Sequence, residues 1–134
     1  MIDSRTPGIV SVWMGTTRQS LEDFNQYTEG METAGSGCPA HADFGCDFID
    51  SDVFVAYLAA GGAAVPVEDL AEEVDVSTNE AVAAIAARCH ELGIDSANAL
   101  YYWVNCTFTE EQPGRLYNGL RFIGAFDDRK KRKR

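Results

Sequence analysis

Apolar and polar positions alternate across residues 9–14, IVSVWM, where Ile9, Ser11 and Trp13 oppose Val10, Val12 and Met14, and the breaker pair Pro7-Gly8 comes just before. With β-branched and aromatic types on both sides, this pattern predicts a first strand, closed by Gly15. The period then lengthens. Ser20 with Asp23 three residues on resembles a capping box, and Leu21, Phe24 and Tyr27 fall on one side of a helix of about ten residues that stops near Gly30. Residues 29–42 carry Gly30, Gly35, Gly37 and Pro39 and predict the longest loop. In 53–58, Val53, Phe54, Tyr57 and Leu58 are read as a helix capped by Asp50 or Ser51 and ended by Gly61-Gly62. Pro66 opens a short acidic helix over 67–74 with Val67, Leu70, Ala71 and Val74 turned inward. Ser77 and Glu80 form a second capping box, after which Ala81, Val82, Ile85, Cys89 and Leu92 repeat at helical spacing until Gly93. Residues 98–108 and 116–126 are rich in aromatic and β-branched types and read as two long strands joined by a turn at Pro113-Gly114. The expected fold is α+β: a small antiparallel sheet of about three main strands, the first strand added to a terminal hairpin, with helices packed on one face.

Charge changes the picture more than composition does. With 134 residues, 46% of them apolar and 24% charged, the chain has the make-up of one ordinary globular domain. Its net charge of −10, however, conceals a division: six of the eleven Lys and Arg lie in 129–134, leaving five against 21 Asp and Glu in residues 1–128, a balance of −16. A folded domain over 1–128 and a disordered basic tail over 129–134 are therefore expected. Such a body repels polyanions, so direct nucleic-acid binding is not expected of it, and a basic protein surface is its natural complement. A rival reading gives the tail alone a nucleic-acid contact. No stretch reaches the roughly 18 apolar residues of a membrane span, and residues 1–8 lack the features of a signal peptide. The cytoplasm is the expected compartment, where Cys38, Cys46, Cys89 and Cys106 would stay free.

The chain offers little to catalysis. Its two histidines, His41 and His90, lie in a loop and on the Ala-rich helix, and it has no nucleophile elbow, phosphate loop or dinucleotide fingerprint, so no enzyme and no cofactor are expected. Cys38, His41 and Cys46, spaced Cys-x2-His-x4-Cys, form the alternative: a small zinc-binding or metal-dependent protein, with Cys89 or His90 as a fourth ligand. The aspartates Asp43, Asp47, Asp50 and Asp52 miss the EF-hand spacing. Set among Phe44, Phe48, Phe54 and Tyr57, they read instead as a docking patch, aromatic anchors ringed by charge, which Glu68, Asp69 and Glu72 could extend.

Several of these segments together resemble a known family, the immunity protein 22 family of bacterial polymorphic toxin systems. The likeness rests on Val12-Trp13-Met14-Gly15, the helix start Leu21-Glu22-Asp23-Phe24, the central Asp43-Phe44-Gly45-Cys46-Asp47 with Asp52-Val53-Phe54, and the closing Phe122-Ile123-Gly124-Ala125-Phe126. The Gly-rich loop, the Ala-rich helix and the basic tail depart from the pattern. The resemblance implies a small α+β immunity protein that neutralises a cognate toxin, a nuclease being the expected class. Stoichiometric docking of Asp43, Phe44, Asp47, Asp50, Asp52, Phe54, Tyr57, Glu68, Asp69 and Glu72 over or near the toxin's active site is the mechanism expected from the charge. The free protein is expected to be a monomer or weak dimer.

Overall fold

In the computed structural model, which describes residues 2–3 and 5–129, a two-residue strand β1 (Ile2–Asp3) precedes β2 (Ile9–Gly15), and β2 lies at the centre of the main sheet. Its alternation is met on both sides: Val10, Val12 and Met14 enter one core and Trp13 enters another, all fully buried. Ser11, the polar member of the run, is buried too and donates its hydroxyl to the Cys106 carbonyl at 2.8 Å. The helices α1 (Leu21–Gln26) and α2 (Pro39–Phe44) follow, then β3 (Phe54–Leu58), β4 (Val65–Pro66), α3 (Val67–Glu72) and α4 (Asn79–Glu91). The remainder is β5 (Ser96–Ala97), β6 (Ala99–Val104), β7 (Thr107–Phe108), β8 (Leu116–Tyr117) and β9 (Leu120–Asp127).

The expected three-stranded sheet with helices on one face is wrong. The described residues form nine strands in three sheets, the largest having five strands in the order β3-β6-β2-β9-β8, and helices cover both of its faces. Three local facts explain the difference. Residues 54–58, read as helical, pair with β6 along Phe54↔Trp103 to Leu58↔Ala99, because Phe54, Ala56 and Leu58 alternate with Val55 and Tyr57 and five such residues satisfy more backbone in a ladder than in a short helix. The expected strand over 98–108 breaks at Asn105, whose φ of 58° turns the chain away after β6. The expected terminal hairpin does not exist, since β2 inserts between β6 and β9, antiparallel to each. The hairpin that does form is β8–β9, turned by Asn118 (φ 52°) and Gly119 (φ 85°), the pair that best fits a two-residue turn matching strand twist.

Two glycines of the chain's motifs have structural reasons. A Cβ at Gly15 would lie 2.8 Å from the Gly119 carbonyl oxygen, so only glycine lets the end of β2 pass under that hairpin. Next to Gly124 the β2–β9 register shifts by one residue, a bulge at Ile123 that leaves Phe122 on the Trp13 side but Ile123 and Phe126 on the opposite side.

The helical half agrees better with expectation. Ser20 caps α1 by accepting from Asp23 N–H, although α1 spans six residues rather than about ten. The acidic helix forms over Val67–Glu72, and α4 is the longest helix, capped by Thr78 rather than Ser77. Ser77 and Thr78 instead donate backbone N–H to the Asp128 carboxylate at 2.8–3.2 Å, tying the end of β9 to the start of α4. No described helix is long and apolar enough to cross a membrane. Residues 130–134, most of the basic segment expected to be disordered, lie outside the described residues.

Candidate functional site

The last turn of α2 builds the most chemically differentiated surface of the molecule. Pro39 at its first turn fixes the helical start, and Gly45, at φ 74°, ends it in the left-handed conformation while returning its N–H to the His41 carbonyl. The turn points Phe44 and Asp43 into different surroundings. Phe44 is 0% exposed, its ring centre 4.9 Å from Trp13, 5.8 Å from Tyr117 and 5.9 Å from Trp103 and Phe108. Asp43 stays partly open: one carboxylate oxygen accepts from the Tyr27 hydroxyl at 2.5 Å, and the other pairs with the Arg115 guanidinium.

Arg115 arrives from the loop between β7 and β8 and lies over the Tyr117 ring, its guanidinium carbon 5.1 Å from the ring centre. Tyr117 in turn donates its hydroxyl to Glu110 at 3.1 Å. Burial, with the neighbouring Glu110 carboxylate, pushes the Tyr117 phenol up to about 12, and burial together with Asp43 raises that of Tyr27, so both hydroxyls remain donors at neutral pH. Between α2 and this loop opens a cleft of about 360 Å³, lined by Asp43, Phe44, Phe108, Glu111, Arg115 and Tyr117 among others.

After α2 the chain runs as an acidic loop. Ile49 is buried and its N–H bonds the Met31 carbonyl at 2.7 Å, holding the loop to the body. Asp50 is used locally, accepting from Asp52 N–H at 2.8 Å and, through its carbonyl, from Phe54 N–H at 3.0 Å. Asp47 and Asp52 are exposed, and between them Phe48 is 50% exposed.

The expected docking residues thus divide. Asp43 lies in the last turn of α2 and Asp47, Asp50 and Asp52 on the loop that follows it, but Phe44 and Phe54 are core residues with no surface to offer a partner. Tyr57 is half-buried and packs on the opposite sheet face. Glu68, Asp69 and Glu72 are exposed on α3, which covers that opposite face, so they do not continue the loop's surface. Glu68 is engaged there by His90, whose ring bonds Glu68 at 2.5 Å and Asp95 at 2.7 Å; these carboxylates raise the His90 pKa and His90 lowers that of Glu68. Charge and aromatic content alone could not separate buried Phe44 and Phe54 from exposed Phe48. Arg115, Glu110 and Glu111 were missed because only the fold brings their loop beside α2; the Asp43-Phe44-Gly45 motif was the signal that marked this place.

The zinc alternative loses its geometry. Cys38 donates its thiol to the Tyr27 carbonyl at 3.3 Å and His41 Nε2 bonds the Met31 carbonyl at 2.8 Å, and among the described residues no three such side chains converge on one point. All four cysteines are free, and burial raises Cys89 to about 11 and Cys106 to about 12.

With that geometry in place, the family profile for Immunity protein 22 matches residues 10–127. The chain belongs to the immunity protein 22 family. No curated protein and no solved structure matches it. Membership supports a toxin-neutralising immunity function, with a cognate toxin as partner and an inhibitory role. It also gives the motifs of this immunity protein a common reading. Trp13, Gly15 and Phe122-Ile123-Gly124-Ala125-Phe126 serve the sheet, whereas Asp43-Phe44-Gly45-Cys46-Asp47 reaches the cleft beside Arg115 and the acidic loop.

Proposed function

We propose that this immunity protein neutralises its toxin by stoichiometric docking of the acidic surface formed by Asp43, Asp47, Asp50 and Asp52, and that the toxin is a basic nuclease. The observation that carries the reading is Phe48, a half-exposed aromatic flanked by the exposed carboxylates of Asp47 and Asp52 on a loop held down by Ile49. An aromatic anchor within a charged rim combines tight local packing with long-range attraction. A nuclease must present cations to hold phosphates, so a body carrying −16 over residues 1–128 is steered toward the surface its substrate would use. No covalent step is required. The helix carrying Glu68, Asp69 and Glu72 contributes to the overall field but belongs to a different face.

The test begins with the toxin captured from the source bacterium by the tagged protein, then expressed on its own. Co-expression should restore growth to cells carrying that toxin, and DNA or RNA integrity in those cells identifies the chemistry being blocked. Changing Asp47, Asp50 and Asp52 together to Asn should weaken binding by about ten-fold or more at low salt and flatten its salt dependence. Equal affinity for parent and triple variant across the salt range, with both folded, removes the acidic loop from the interface; intact nucleic acid in poisoned cells removes the nuclease.

A further inference from the structure

We infer that the cleft between α2 and the β7–β8 loop is a binding site for a single arginine side chain supplied by the protein partner, and that Arg115 is the internal occupant it replaces. The site has the two parts a guanidinium needs. Asp43 supplies a carboxylate fixed in orientation by the Tyr27 hydroxyl at 2.5 Å, and Tyr117 supplies an aromatic face. Arg115 already demonstrates both contacts, pairing with Asp43 while its guanidinium carbon sits 5.1 Å above the Tyr117 ring. That is how a planar cation is held by a carboxylate and a π surface.

Charge selects the class of guest. Arg115 is matched by Asp43, yet Glu111, which lines the cleft, is exposed and has no ion-pair partner among the described residues. The unmet charge of the cleft is negative, so an incoming cation is favoured and an anion is repelled. Its volume, about 360 Å³, exceeds what one long side chain fills, and the edge of Phe108 provides apolar wall for the methylene stem. Arg115 lies on the exposed side of the cleft formed by residues 111–115 and is itself half-exposed, so it can swing to Glu111 or to water when displaced. Arginine is preferred to lysine because an ammonium meets the carboxylate but forms no planar stack with Tyr117.

This inference rests on the toxin-docking reading only for the source of the arginine; its test needs no toxin. N-acetyl-arginine methylamide is titrated into the whole protein and followed by two-dimensional NMR, with the lysine and glutamate analogues in parallel. The arginine probe should saturate resonances of Asp43, Glu111 and Tyr117, the lysine analogue should bind several-fold more weakly, and the glutamate analogue should not bind. Arg115→Ala removes the competitor and should tighten the arginine probe by about ten-fold. Asp43→Asn should abolish the response. Because Asn at 43 also disturbs Tyr27, Glu111→Gln gives an independent reading at an exposed position and should weaken the probe two- to five-fold. If Arg115→Ala binds no more tightly than the parent, or if the three analogues behave alike, the cleft is not an arginine site. Loss of toxin docking with the probe response intact overturns only the function proposed above, and the reverse overturns only the cleft.

Discussion

On the face of the central sheet that carries α1 and α2, nine of the buried side chains are aromatic: Trp13, Phe24, Tyr27, Phe44, Phe54, Tyr101, Trp103, Phe108 and Tyr117. On the face that carries α3 and α4 the only buried aromatic among the described residues is Tyr102, and the core is built from Val10, Val12, Met14, Leu70, Ile85, Cys89, Leu100 and Ile123 with several alanines. The two cores solve the same problem differently. Small aliphatic groups must be delivered in number and at even spacing, which requires a regular helix such as the 13-residue α4. Large rings fill the same space with few attachment points, so two six-residue helices and irregular connections suffice. Irregular backbone then ends at the surface, and it is there that Arg115 and the acidic loop are found, beside Asp43 in the last turn of α2. The aliphatic face gives the molecule a frame; the aromatic face leaves it free ends to use.

That contrast can be broken most forcefully at Phe44. Phe44→Ala removes a ring touching five other aromatic rings besides Tyr27 and should cost about 3–5 kcal/mol, against about 1 kcal/mol for Ile85→Val in the aliphatic core, both measured by urea unfolding followed by circular dichroism. Comparable costs would mean that the aromatic core is no more dependent on single residues than the other. A smaller effect is expected at the link between β9 and α4. Asp128→Ala leaves the Ser77 and Thr78 N–H groups without their carboxylate at the start of a helix and should cost about 1 kcal/mol, with hydrogen exchange rising first in α4 and not in α2. The smallest effect concerns His90, which is exposed. Its pKa is raised above the ordinary 6.5 by Glu68 and Asp95, so its contribution is complete below that value and is lost as pH rises through the raised one. Glu68 is lowered from 4.5, so its share is present above that value and lost as pH falls through the lowered one. His90→Gln should therefore flatten the decline of stability as pH rises above 6.5; an unchanged profile would show that this cluster does not fasten α3 to α4.

The same contrast explains what could be read from the chain before its fold. Leu70, Ala71 and Val74, or Ala81, Ile85 and Cys89, repeat at a period that only one structure satisfies, and both helices form there. The aromatic face has no such period. Phe54 and Tyr57 fit a helical spacing as well as an alternating one, and the deciding fact, a free edge of β6 at Ala99 to Trp103, lies more than 40 residues away. Asn118-Gly119 was a local turn signal hidden inside an apolar run, and at Ile123 a bulge overrides simple alternation. For the candidate site the charge was legible and the burial was not. Asp47 and Asp52 are exposed as expected of a docking patch, but the aromatic that shares their surface is Phe48, while Phe44 and Phe54 are drawn inward by partners from β2, β6 and β7. Arg115 was invisible because its meaning depends on Asp43, 72 residues earlier.

Both tryptophans of the chain lie on the aromatic face, Trp13 and Trp103 having their ring centres 4.9 Å and 5.9 Å from that of Phe44, which is also a wall of the cleft. The tryptophan emission of this molecule, excited selectively at its red edge, therefore originates from one side of the sheet only. Events at the cleft are reported by an intrinsic fluorophore separated from them by a single phenyl ring, and rearrangements confined to α3 and α4 leave that signal dark. An unlabelled sample in a cuvette can thus tell the two halves of the molecule apart.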